Sequence, residues 1–156
     1  MKQKAWIIIA LVMAMCGCKE DKWLDWKAEN IAFMEQNKLE EGVIVSESGL
    51  QYKIIRQGMN QAGAHPDDLK TVEVTYTGKL INGYEFSSGE NTKMAVSSLT
   101  EGFAEGLKKM YVSGRYILYV PYELAYKEKG SGAEGLANYI PPYSTLIFDV
   151  TLNKCY

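Results

Sequence analysis

Residues 71–80, TVEVTYTGKL, constrain the fold more tightly than any other stretch of the chain. Val72, Val74 and Tyr76 recur at period two, so they share one face of an extended strand. Asn82-Gly83 follows, and this pair supplies a hairpin turn before residues 84–87. A half-buried antiparallel hairpin is therefore expected, and a fold must supply something to cover its apolar face.

Three further segments read as strands and one as the covering helix. In SGLQYKIIRQG, residues 48–58, Leu50, Tyr52 and Ile54 alternate with polar neighbours until Gly58 ends the run. Residues 115–121 and 145–154 carry similar apolar runs. Between them and the hairpin, residues 101–110 place Phe103, Leu107 and Met110 on one helical face, with Glu101 early, Lys108 and Lys109 late, and Gly114 beyond the end. Five or six strands with one short helix late in the order imply an α+β antiparallel sheet over a helix. Residues 59–70 form a loop, and its His65 beside Pro66 is read as a surface turn residue.

The N-terminal region is organised differently. Lys2 and Lys4 precede an unbroken apolar run over residues 5–15, too short to span a bilayer comfortably and suited to a secretory leader. Gly17-Cys18 resembles a lipobox, in which the cysteine is acylated and becomes the new N-terminus; an ordinary cleaved leader with an unmodified Cys18 is the alternative. The expected divisions are a lipoprotein signal peptide at 1–17, a lipidated N-terminus and helical linker at 18–45, and the folded domain at 46–156. Lys19-Glu20-Asp21 resembles a signal that directs lipoproteins to the outer membrane of Gram-negative bacteria. After cleavage only Cys155 accompanies Cys18, so no disulfide can form inside the domain. Residues 21–37 contain neither Gly nor Pro, and Leu24, Ala28 and Ile31, flanked by Trp23, Trp26 and Met34, predict one amphipathic helix.

Charge narrows the partners. The chain has 17 basic and 19 acidic residues, and loss of Lys2 and Lys4 leaves 15 against 19, or −4. No clustered basic face is visible, so a nucleic-acid partner is disfavoured. No metal-ligand spacing, histidine pair or phosphate loop appears, and neither a metal nor a cofactor is expected.

Several separated motifs, in order, resemble the FKBP family over residues 48–154. SGLQYKIIRQG looks like the opening strand of the bacterial branch with an N-terminal helical extension. VTYTGKLINGYEF at 74–86, EGFAEGLKKM at 101–110, Ala125-Tyr126, and IPPYSTLIFDVTL at 140–152 are similar to the family's remaining signatures. The resemblance implies an FKBP-like curved sheet wrapped over one short helix, acting as a peptidyl-prolyl cis-trans isomerase on exported proteins. It assigns Tyr76, Phe86 and Phe148 to the walls of a proline pocket, Phe103 to its floor, Leu99, Thr100 and Ile140 to its rim, and Tyr126 to a substrate carbonyl. Four positions depart from the family pattern: Ser87 replaces an aspartate, Phe103 a tryptophan, Thr100 an apolar residue and Lys127 a glycine, and residues 127–139 form a longer segment than is common.

An X-Pro amide loses charge separation when it twists, so an apolar aromatic pocket penalises the planar state more than the twisted one, with no acid or base required. Tyr126 and the Thr100 N–H are the candidate donors, and Ser87 a substrate contact. The expected partners are proline-containing unfolded or exported polypeptides and, through Cys18, the membrane. Two other classes stay open: a catalytically weak or inactive peptide-binding chaperone lipoprotein, and a protein whose Trp23 and Trp26 mediate assembly on the membrane.

Overall fold

The computed structural model describes residues 22–59 and 65–156. The leader, Cys18, and Lys19-Glu20-Asp21 lie outside the described residues, as does part of the 59–70 loop.

Helix α1 (Leu24–Asn37) leads into strands β1 (Val43–Val45), β2 (Gln51–Arg56), β3 (Thr71–Lys79) and β4 (Glu85–Ala95), then helix α2 (Glu101–Lys108), β5 (Arg115–Val120) and β6 (Leu146–Cys155). The strands form one six-stranded sheet in the order β1-β2-β5-β6-β3-β4, antiparallel at every pairing. The α+β class expected from the pattern is the class observed. β1 was not singled out by the sequence, and β4 runs well past Ser87, the end of its expected strand.

The core lies between the sheet and α2. Leu50, Val72, Val74, Leu107, Leu118, Val150 and Leu152 are completely buried there, and each such side chain contributes on the order of 1.5–3 kcal/mol relative to exposure. Helix α2 reaches the sheet closely because its inward face carries Gly102 and Gly106. A Cβ at Gly106 would collide with Leu118, and one at Gly102 with Val120.

Helix α1 packs by a face that overlaps the one its apolar spacing predicts only at Trp26 and Met34. Leu24 and Ile31 are 55% and 45% exposed, and Ala28 is exposed as well. The buried positions are Asn30, Met34 and Asn37. Polar partners explain the difference: Asn30 Oδ1 accepts from the Thr145 N–H at 2.7 Å, Asn37 Nδ2 donates to Gln51 Oε1 at 2.8 Å, and Gln51 Nε2 donates to the Met34 carbonyl at 2.8 Å. A satisfied amide can be buried where an apolar stripe was expected. The tryptophans also serve the domain itself, since Trp26 Nε1 donates to Ser144 Oγ at 3.0 Å and Trp23 stacks at a tilt against Tyr139. Their engagement within the chain does not favour the membrane-assembly reading.

Candidate functional site

At one end of the sheet, α2 and the strands leave an open cavity of about 420 Å³, within the range of small-ligand sites. β3 contributes Tyr76, β4 contributes Phe86, Ser87 and Met94, α2 contributes Phe103 and β6 contributes Phe148. The turn that ends at Thr100, the N-cap of α2, adds Ser98, Leu99 and Thr100. Tyr126 follows the short 3-10 turn Tyr122–Leu124, and Ser131, Asn138 and Ile140 come from the long segment after it.

Register brings these side chains together. Gly78 of β3 pairs with Ser87 on one side and with Phe148 on the other, so the residues flanking the cavity are cross-strand neighbours of a residue that has no side chain. A Cβ on Gly78 would stand 2.7 Å from the Phe86 ring and 2.9 Å from the Phe148 ring. Glycine is therefore required here by close approach.

Four aromatic rings meet within the site. Phe103 and Phe148 stack with centroids 4.3 Å apart and planes at 22°, and Phe86 meets Phe148 edge-on at 5.7 Å. Tyr76 tilts against both, 6.2 Å from Phe103 and 6.4 Å from Phe148. These separations match those at which aromatic pairs attract. The Tyr76 hydroxyl shares a hydrogen bond of 2.9 Å with Ser87 Oγ, so the serine standing in the usual aspartate position still reaches the tyrosine. Tyr126 is 39% exposed at the mouth of the cavity.

Charge is excluded from this surface. Among the described residues lining the cavity there is no carboxylate, ammonium, guanidinium or imidazole. Glu101 faces Lys127 at 3.5 Å on the exterior, and His65 lies against Tyr111 with Nδ1 3.2 Å from the Lys108 carbonyl oxygen. The arrangement can desolvate a flat apolar ring but offers no proton-transfer pair.

All nine pocket residues predicted from the sequence, Tyr76, Phe86, Ser87, Leu99, Thr100, Phe103, Tyr126, Ile140 and Phe148, line this one cavity. Met94, Ser98, Ser131 and Asn138 were missed. Met94 lies in the part of β4 that was not predicted, and Ser131 and Asn138 belong to the lengthened segment, where no motif gives a register. Lys127, in place of the usual glycine, keeps a glycine-like backbone with φ of 56°.

The model of the FKBP-type peptidyl-prolyl cis-trans isomerase matches residues 63–153. The chain belongs to this family. A second model, of the domain amino-terminal to FKBP-type isomerases, matches residues 8–54. The FKBP-type 22 kDa peptidyl-prolyl cis-trans isomerase of Escherichia coli K12 is 43% identical over 129 residues, covering 80% of this chain and 59% of the relative. The Outer membrane protein MIP of Legionella longbeachae is 39% identical over 130 residues, covering 81% of this chain and 52% of that protein. The crystal structure of FkpA from Escherichia coli superposes with a TM-score of 0.75 at 36% identity, over 84% of this FKBP chain and 59% of FkpA. The chain thus spans little more than half the length of these relatives.

Proposed function

We propose that this FKBP chain is a peptidyl-prolyl cis-trans isomerase for exported polypeptides, and that the aromatic cavity is its active site. The observation that carries this reading is the stacked Phe103–Phe148 pair in a cavity whose described lining bears no charged side chain. The pyrrolidine ring enters between Tyr76, Phe86, Phe103 and Phe148. Rotation about the C–N bond faces a barrier of about 18–20 kcal/mol because resonance holds the amide planar. Removing water from the amide costs the charge-separated planar form more than the twisted form, which lowers that barrier.

The flanking carbonyls need fixed donors so that the bond rotates while the rest of the peptide is held. The Tyr126 hydroxyl and the Thr100 N–H fill that role, with Leu99 and Ile140 covering the ring. Ser87 orients Tyr76 as a neutral partner, which predicts a slower catalyst than one with a carboxylate there. The N-terminal Cys18 carries the lipid and holds the domain at the outer membrane of a Gram-negative envelope; the likeness to a relative named as an outer membrane protein supports the envelope location.

Residues 19–156 are expected to accelerate cis/trans exchange of a short X-Pro peptide, with Tyr126→Phe lowering kcat/KM by up to about tenfold through the loss of one hydrogen bond. Binding of the peptide with no acceleration would reject the isomerase and leave a peptide-holding module. Incorporation of labelled fatty acid into the full chain, abolished by Cys18→Ser, tests the anchor.

A further inference from the structure

The segment 127–139 supplies part of the lining of a second cavity beside the first. This neighbouring hollow of about 290 Å³ is lined by Leu80, Asn82 and Tyr84 from the β3–β4 hairpin, by Gly135, Leu136 and Tyr139 from that segment, and by Pro141 just beyond it. It is apolar in character yet open to solvent: Leu136 is 57% exposed and Tyr84 44%. The two cavities share a wall, because Asn138 and Ile140 line the first while Tyr139 and Pro141 line the second. Consecutive Cα atoms are about 3.8 Å apart, so the hollows lie within a few residues' reach of one extended peptide.

The segment is held in place from several sides. Tyr84 Oη donates to the Ala137 carbonyl at 2.9 Å, a reciprocal pair of backbone bonds joins Ser131 to Ile140 at 2.9 and 2.8 Å, and Lys22 pairs with Glu134 at 2.9 Å. The Tyr139 N–H also donates to the Leu136 carbonyl at 3.0 Å, closing the turn that presents Leu136. A binding surface fixed before the ligand arrives loses less entropy on binding.

We infer that the second hollow is a specificity subsite that takes an aliphatic or aromatic side chain of the same polypeptide whose proline occupies the first. The inference rests on the isomerase reading for the identity of the polypeptide. Its occupant follows from the shared wall: a chain lying across Asn138–Pro141 meets both hollows, and the second is bounded by Leu80, Tyr84, Leu136, Tyr139 and Pro141 with Asn82 and Gly135 beside them and no charged side chain among the described residues of its lining. Substrates carrying an apolar residue two to four positions from the proline are preferred over short peptides or those with a polar residue there.

Three peptides test this: a short X-Pro peptide, a longer one with leucine three residues from the proline on either side, and the same longer peptide with serine in place of leucine. Both kcat/KM and Kd, by fluorescence anisotropy, are measured for the full domain and for Leu136→Ser, whose exposed position makes unfolding a minor concern. The leucine peptide is expected to exceed the serine peptide by about tenfold in both quantities, the value of a side chain in an apolar pocket, and Leu136→Ser is expected to remove that preference while leaving the short peptide unchanged. Equal preference in the two proteins, or none in either, overturns the subsite. Absence of any rate increase with the short peptide overturns the isomerase reading instead, and the Kd ratio then decides the subsite independently.

Discussion

The hydroxyls of Tyr76 and Ser87 lie 2.9 Å apart across the β3–β4 pair, in the position where the family's aspartate would orient the same tyrosine. A neutral hydroxyl partner gives about 1 kcal/mol less than a charged one. Ser87→Asp is therefore expected to raise kcat/KM about fivefold, and Ser87→Ala to lower it. Steady-state kinetics on one X-Pro peptide with the three proteins checks both directions; an Asp variant slower than the parent would refute the orienting role.

Gly78 sits under two aromatic rings, and a methyl group there has no room between Phe86 and Phe148. Gly78→Ala is expected to cost about 2 kcal/mol through overpacking and to reduce peptide binding, because the rings that must move line the cavity. Urea denaturation and peptide titration should change together. Unaltered binding in a destabilised variant would separate the packing from the site.

Lys127 occupies the left-handed region at φ of 56°, which costs an L-residue on the order of 1–2 kcal/mol. Both backbone bonds at this position survive substitution: its N–H donates to the Tyr122 carbonyl at 2.9 Å and its carbonyl accepts from the Tyr143 N–H at 2.9 Å. Its exposed partner Glu101 contributes little. Lys127→Gly is expected to stabilise the fold by roughly 0.5–1 kcal/mol, the strain relieved less the added freedom of the unfolded chain, measured as a rise in the denaturation midpoint.

Glu105 ties α2 to the turn before β2. Burial alone raises its pKa, but hydrogen bonds from Ser48 and Ser46 together with Lys109 outweigh burial and hold it below the usual carboxylate value. Ser48 Oγ donates to it at 2.6 Å and Ser46 Oγ at 2.8 Å. A depressed folded pKa means stability that is full above the unfolded value near about 4.3 and is lost as pH falls through the folded value. Glu105→Gln should therefore be less stable than the parent at neutral pH, with the gap closing in acid. Activity, by contrast, should stay flat from about pH 6 to about 8, since no carboxylate, imidazole or amine is among the described residues lining the cavity.

Much of the fold was legible because period-two strands and the Asn82-Gly83 turn report local geometry directly. The pocket residues were legible only through the resemblance to the FKBP family, since taken singly each aromatic reads as plain core; the sheet register then brings them together, as with Gly78 between Ser87 and Phe148. Reading failed where polar groups did the packing. Asn30 and Asn37 are buried because Thr145 and Gln51 satisfy them, and no apolar periodicity announces such a face. β1 is only three residues long, and the outer half of β4 is polar because it forms the sheet's edge, so neither carries a strong pattern. Ser131 and Asn138 depend on a segment whose conformation is set by long-range bonds such as that from Tyr84 to Ala137.

The central claim is that the Phe103–Phe148 cavity lowers the barrier to proline isomerisation. Exchange spectroscopy on a short X-Pro peptide, with residues 19–156 as parent and as Phe148→Leu, measures this at the bond concerned. Rapid cis/trans exchange is expected at low concentrations of the parent, with at least about a tenfold loss in the folded variant, as the stacked ring is removed while the volume is largely kept. Exchange at the uncatalysed rate in the parent, or an undiminished rate in Phe148→Leu, would contradict it.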